Sequence, residues 1–188
     1  MARTIEFDKE ATVERALELF RSRGYEATSL DDLLQAMAIG RSSFYNTFRG
    51  KHDLVLLALD RYVETVLAAL VAGLRRGSAL EAIQRTLTKM IGPAAARGCF
   101  LHKCALELAG RDAAIKSRVR EGLGRLERGF GDAIARGQES GELRRDLEPS
   151  SSAKYLVGNL YGLELQARAG IPNASLRHVV RMVLQTLQ

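Results

Sequence analysis

Tryptophan is absent from this chain of 188 residues, and phenylalanine and tyrosine together supply only 6% of it. The apolar residues, 46% of the total, are therefore mostly Leu, Ala, Val and Ile, which favours a helical core. That apolar content, with only three prolines, argues against extended disorder. No run of consecutive apolar residues is long enough to span a bilayer. The opening residues, MARTIEFDKEATVER, lack the basic-then-apolar layout of a secretion signal. A cytoplasmic protein with no membrane partner is expected, its two cysteines reduced. There is no internal repeat and no low-complexity tract. The length fits one large or two small domains.

Net charge is +6, which invites a nucleic-acid reading. Residues 1–52, however, hold eight Lys/Arg and eight Asp/Glu, so the whole excess lies downstream. Global charge does not mark the N-terminal part. A local cluster of Arg41, Arg49 and Lys51 does, and from Arg41 to Lys51 there is no acid.

That cluster belongs to the stretch Thr28 to Lys51, TSLDDLLQAMAIGRSSFYNTFRGK. Thr28 or Ser29 can cap a helix, with Asp31 and Asp32 at capping-box spacing. Leu30, Leu33, Leu34 and Met37 recur at helical period. Met37 to Gly40 makes a turn, and a second short helix runs from Arg41 to about Phe48. Phe44 and Phe48 face inward, leaving Arg41, Ser42, Ser43, Tyr45, Asn46 and Thr47 outside. Short polar side chains near a helix N-terminus, without negative charge, suit a DNA major groove. The same pattern also fits an ordinary corner between two helices.

Around this stretch the chain reads as helices throughout. The first spans Asp8 to Arg23, ended by Gly24. A long helix from Lys51 to about Arg75, roughly 37 Å, follows. Ser78 and Glu81 then open a helix to Ile91. An irregular link covers Ala94 to Gly98, and a short helix covers Cys99 to Ala109. Asp112 caps a long, basic, glycine-dotted helix to Glu139. Its arginines, Arg118, Arg120, Arg125 and Arg128, fit either a solvated face or attraction of an acidic effector. Pro149 starts a helix in which Gly158 and Gly162 stand four apart, and Leu176 to Leu187 forms the last. Two apolar terminal helices call for a partner surface. A two-fold homodimer built on Leu156, Leu160, Leu163, Val180, Leu184 and Leu187 is expected, the alternative being that they close the chain's own core.

At this point the sequence resembles the TetR family of transcriptional regulators. The resemblance rests on Ala11, Ala16, Leu19, Phe20, Gly24 and Tyr25, then Thr28-Ser29-Leu30, then Phe44-Tyr45, Phe48, Lys51 and Leu54. The turn departs from the family pattern, with Ala38 for the usual Gly and Gly40 for the usual Ser. The resemblance implies an all-α fold of about nine helices. A DNA-binding module (1–50) would precede an effector-binding and dimerising domain (51–188). It implies a repressor that leaves a palindromic operator in double-stranded DNA when a small molecule binds. Carried over by position, Arg41, Ser42 and Ser43 face bases, while Thr28, Tyr45, Asn46, Thr47 and Lys51 mostly hold phosphates. It implies no cofactor.

Within the second domain, Arg97 to Cys104 reads RGCFLHKC. The spacing of Cys99, His102 and Cys104 matches no usual zinc pattern, so no metal is expected. Arg97, His102 and Lys103 can lower a thiol pKa, which makes Cys99, and less so Cys104, a sensor candidate. The Gly98-Cys99 pair also resembles a subgroup that contains the N-ethylmaleimide reductase repressor, which responds to electrophiles. Both cysteines fit equally as small core residues. Met90, Phe100, Leu126, Phe130, Tyr155, Asn159 and Tyr161 are candidate pocket liners or plain core. An enzyme is disfavoured: there is no Ser-His-Asp order, phosphate loop or metal motif. A helical protein-interaction module remains the other alternative.

Overall fold

The computed structural model describes residues 8–92 and 98–188, and its regular structure there is entirely helical. The link expected from Ala94 and the side chain of Arg97 fall outside the described residues. Helix α1 (Lys9–Arg23) starts on Asp8, whose carboxylate accepts from the amides of Glu10 and Ala11. Helix α2 (Leu30–Met37) starts on a full capping box between Ser29 and Asp32, which leaves Thr28 free for another role. Helix α3 (Arg41–Thr47) starts on Gly40 with no side-chain cap. Between them Ala38 takes a left-handed conformation, φ 55° and ψ 41°. It is the only described non-glycine residue with positive φ, and a methyl side chain fits that region poorly.

The long helix expected from Lys51 is not a uniform rod. Helix α4 (Lys51–Tyr62) passes into a π-helical turn, Val63–Leu67, and then into α5 (Ala68–Leu74). Thr65 donates its hydroxyl to the Arg61 carbonyl at 2.7 Å, competing with the straight α ladder at that place. A π turn holds an extra residue and turns the buried stripe, a shift that a period-3.6 reading does not detect. Helices α6 (Ala79–Lys89), α7 (Phe100–Glu107), α8 (Ala113–Ser140), α9 (Pro149–Arg168) and α10 (Asn173–Gln185) complete the chain. With α4 to α5 taken as one rod, nine helices lie among the described residues.

Helix α8 packs along α9 and reaches α4, α5, α6 and α7. Its glycines permit this. A Cβ at Gly122 would stand 2.8 Å from Leu101 Cδ1, and one at Gly137 would stand 2.6 Å from Leu143 Cδ1. One continuous apolar core runs from Val13 to Leu187, so the N-terminal helices and the rest share packing. Leu156, Leu160, Leu163, Val180, Leu184 and Leu187 all lie in that core, none more than 7% exposed. This corrects the expected dimer surface: the stripe offered to a partner is already used by the chain itself. The outward faces of α9 and α10 carry Tyr155, Leu165 and Met182 instead, with Gly158 and Gly162 open beside them.

Candidate nucleic-acid interface and effector cavity

Helix α3 is held from beneath by Phe44 and Phe48, both buried, with ring centroids 5.5 Å apart. This anchoring turns Arg41, Ser42, Tyr45 and Asn46 to solvent and leaves Ser43 and Thr47 half-buried. Arg41 Nη2 meets Asp31 Oδ1 at 2.6 Å, but both side chains are well exposed, so the pair is weak and readily exchanged. Lys51 is half-buried, its Nζ 4.1 Å from the Tyr25 ring centroid. Burial lowers its pKa. Thr28 departs from expectation. It is fully buried, and its hydroxyl donates to the Gly24 carbonyl at 2.6 Å, so it does not present itself to a phosphate.

Behind this reading head, α7 is tied to α1 and the loop after it. Lys103 Nζ donates to the carbonyls of Arg21 and Ser22, closing the C-terminal end of α1. The Glu107 carboxylate accepts from the amides of Tyr25 at 2.7 Å and Glu26 at 3.1 Å. Arg111 pairs with Glu26, and His52 with Asp112. Phe100 stacks on Phe20, ring centroids 6.1 Å apart, and meets Tyr62 edge-on.

At its other end α7 borders a cavity of about 380 Å³. Arg21, Tyr62, Met90, Cys99, Leu126 and Glu164 are among its lining residues. The wall is assembled from α1, α4, the π turn, α5, the end of α6, α8, α9 and the segment before α7. Glu164 is 2% exposed, and its carboxylate accepts from the Cys99 amide at 2.7 Å and meets His102 Nδ1 at 3.2 Å. The Tyr62 hydroxyl donates to Cys99 Sγ at 3.3 Å. Met90 and Leu126 thus line the cavity, while Phe130 is enclosed in the core and Phe100 packs between aromatic rings. Tyr155 and Asn159 sit elsewhere, on the outward groove of α9 with Gly158 and Gly162. Tyr161 reaches the Cys99 sulfur from α9, Sγ to Oη 3.9 Å.

The thiols are not the activated groups that their neighbours implied. Burial pushes Cys99 up and outweighs the hydrogen bonds that favour its thiolate. Burial, then the Glu107 charge, pushes Cys104 well up. Lys103 is engaged with the α1 carbonyls and the His102 ring with Glu164, and the lowering effects of the Lys103 charge on Cys104 and of the His102 amide on Cys99 are outweighed by burial. Both cysteines are free and buried. Among the described residues no group of three metal-ligating side chains gathers.

Arg21, Tyr62 and Glu164 were missed as cavity residues. A signal for them existed. Arg21 follows Leu17 by four residues, and Glu164 follows Leu160 by four, so each charge falls on a buried stripe where an apolar residue is the default.

An acid-free helix displayed on a three-helix head, joined by α4 to a cavity-bearing helical body, is the arrangement of a DNA-binding transcriptional regulator. The sequence relationships give the family. Residues 13–58 match the family described as bacterial regulatory proteins, tetR family, and residues 73–183 match the tetracyclin repressor-like C-terminal domain. An uncharacterized HTH-type transcriptional regulator of Bacillus subtilis, YezE, is 35% identical over 83% of this chain and 84% of its own length. The HTH-type transcriptional repressor ComR of Escherichia coli is 29% identical over 97% of this chain and 88% of its own. Among solved structures, a cysteine mutant of the TetR family regulator CifR, complexed with 26bp double-strand operator DNA, superposes with a TM-score of 0.84 at 28% identity, covering 100% of both chains. The chain belongs to the TetR family. No helix among the described residues is long and apolar enough to cross a membrane.

Proposed function

We propose that the protein is a cytoplasmic homodimeric repressor that leaves a palindromic operator when a small molecule fills the 380 Å³ cavity. Its volume lies in the range of ligand sites, about 300–1,000 Å³. In this reading Arg41, Ser42 and Ser43 reach base edges, and Tyr45, Asn46, Thr47 and Lys51 hold the backbone. Arg41 exchanges Asp31 for guanine, which it can meet with two parallel hydrogen bonds. Two heads demand half-sites roughly 35 Å apart. The partner surface is the outward face of α9 and α10, where Tyr155, Leu165 and Met182 are exposed.

The observation that carries the reading is the shared wall of the cavity. Arg21 comes from the reading module, Tyr62 from the start of the π turn, and Glu164 from a helix of the proposed dimer face. A ligand that prefers one arrangement of these three moves the heads through its difference in affinity for the two states. The π turn is the natural place for α4 to shift against α5.

Operator binding is the test, with duplex DNA carrying the palindrome nearest the gene. Arg41→Ala together with Lys51→Ala should abolish salt-dependent duplex binding while leaving the helical circular dichroism intact. Binding unaffected by both changes would sink the assignment of α3 as the reading helix.

A further inference from the structure

The cavity beside α7 is bordered by more cations than its acids engage. Arg21 and Lys89 line it. Arg168 and Lys103 meet the same wall at Gly98, which also lines it. A Cβ on Gly98 would collide with Arg168 Nη1, and would stand 2.9 Å from Glu164 Oε1 and 3.5 Å from Lys103 Cε. The missing side chain is what lets the Arg168 guanidinium lie against the wall. Arg168 and Lys103 are close enough to oppose each other: burial, then the Arg168 charge, lowers the Lys103 pKa.

Three acids face these four cations, and each is already taken. Glu18 pairs with Arg21. Glu107 holds the amides of Tyr25 and Glu26, and Glu164 holds the Cys99 amide and His102. Lys103 gives its ammonium to the carbonyls of Arg21 and Ser22. Lys89 and Arg168 remain. Both are exposed, and among the described residues neither side chain has an ion pair, Glu164 being paired with His102 instead. They therefore mark a cationic rim. The interior behind it is apolar, made of Val66, Leu67, Leu70, Met90, Leu126 and Leu160.

We propose that the effector is an amphiphilic organic anion, a carboxylate on an apolar body, whose head is held at the rim by Lys89 and Arg168 while its body fills the interior. This rests on reading the cavity as the effector site, and it names the ligand class for that site. The charge at the rim decides among classes. An organic cation would add a like charge to four cations. A neutral apolar molecule would fill the interior and gain nothing from the rim. A carboxylate gains from both, since Lys and Arg lay their stems along apolar surface and keep their charged ends at its edge. Glu164 does not turn the anion away, because its carboxylate is occupied and Arg168 and Lys103 stand beside it. Lys89 ends α6 and Arg168 ends α9. A head group held by both ties α6 to the helix whose outward face is proposed to meet the partner.

The test uses the full-length protein and three probes of one shape: 4-phenylbutanoate, 4-phenylbutanamide and 4-phenylbutan-1-amine. Binding is measured by calorimetry in the native protein and in the double variant Lys89→Gln, Arg168→Gln, whose exposed positions leave the core untouched. The carboxylate should bind the native protein about fivefold tighter than the amide, since two exposed ion pairs each contribute modestly. The amine should bind weakest. Added salt should shrink the carboxylate's advantage, and the double variant should remove it while leaving the amide unchanged. Equal binding of carboxylate and amide to the native protein would overturn the anionic class and leave the cavity as a ligand site. So would an amine that binds best. An advantage that survives the double variant would overturn Lys89 and Arg168 as the anchors. Operator release by the carboxylate is read in parallel. A carboxylate that binds as expected yet releases no operator would overturn the cavity as effector site while the ligand class stands. If none of the three binds, both fall together.

Discussion

Single residues carry two kinds of tension here, one in the backbone and one in proton chemistry. Ala38 sits at φ 55° in the turn of the reading head, a region that costs an L-residue roughly 1–2 kcal/mol. Glycine removes that strain but raises the entropy of the unfolded chain, so the gain is smaller. Ala38→Gly should stabilise the protein by about 1 kcal/mol, a rise of roughly 2–4 °C in the melting temperature by calorimetry. No rise, or a fall, would mean that the turn is unstrained. The cysteines show the opposite case, a local motif whose chemistry is set by burial. Raised pKa values keep both thiols protonated at neutral pH. Native protein should therefore react with a disulfide reagent far more slowly than denatured protein. The sign for stability follows. A folded-state pKa above the unfolded value gives stability that is complete below the unfolded value, about 8.5, and declines as pH rises above it. Urea midpoints should fall from about that pH upward, and Cys104→Ala should flatten the slope.

At the scale of elements, α7 is the piece that joins reading head to cavity. Its Phe100 end lies against Cys99 in the cavity wall, and its Glu107 end holds the amides of Tyr25 and Glu26. Glu107→Ala leaves the part-buried Tyr25 amide without its charged acceptor and the exposed Glu26 amide to water, a cost of about 1 kcal/mol. The melting temperature should drop by roughly 2–4 °C. A second readout separates coupling from stability: the ligand should still bind, but it should release the operator less completely. Full release at unchanged ligand concentration would place the coupling elsewhere, in α4 alone. Much of the helical frame was legible in the sequence because local signals and tertiary packing agree in it. Ser78 and Asp112 cap where their positions predict, the first helix opens at Asp8, and Gly141 ends α8 in the left-handed conformation. The π turn was not legible, since one extra residue inserted into a helix leaves no period of its own. Thr28 was made a phosphate contact by position-for-position carry-over from the family, which does not show that its hydroxyl turns inward to Gly24. Thr28 and Ser29 are interchangeable as caps on paper, and only the fold decides that Ser29 caps while Thr28 turns inward.

For the whole molecule the decisive question is which surface meets the second copy. The apolar stripes of α9 and α10 gave the wrong side because periodicity marks a buried face without saying what buries it. Here the chain's own α8 covers α9. What remains outside is a face with Tyr155 44%, Leu165 64% and Met182 65% exposed. A Cβ at Gly158 or Gly162 would meet nothing within 4 Å inside the chain. Side chains added there cannot disturb the monomer core, and they improve helix propensity by roughly 1 kcal/mol each relative to glycine. They would, however, fill the space into which a partner helix must close. The double change Gly158→Leu and Gly162→Leu should therefore give a folded monomer of 20.7 kDa, where the native protein gives twice that mass by light scattering. Its effect on DNA follows from counting phosphates. One head in place of two should roughly halve the slope of log affinity against log salt, and preference for the full palindrome over a half-site should vanish. A double variant that stays dimeric and keeps the native salt slope would move the interface off this face. A double variant that is monomeric yet retains that slope would instead show that one head makes all the phosphate contacts.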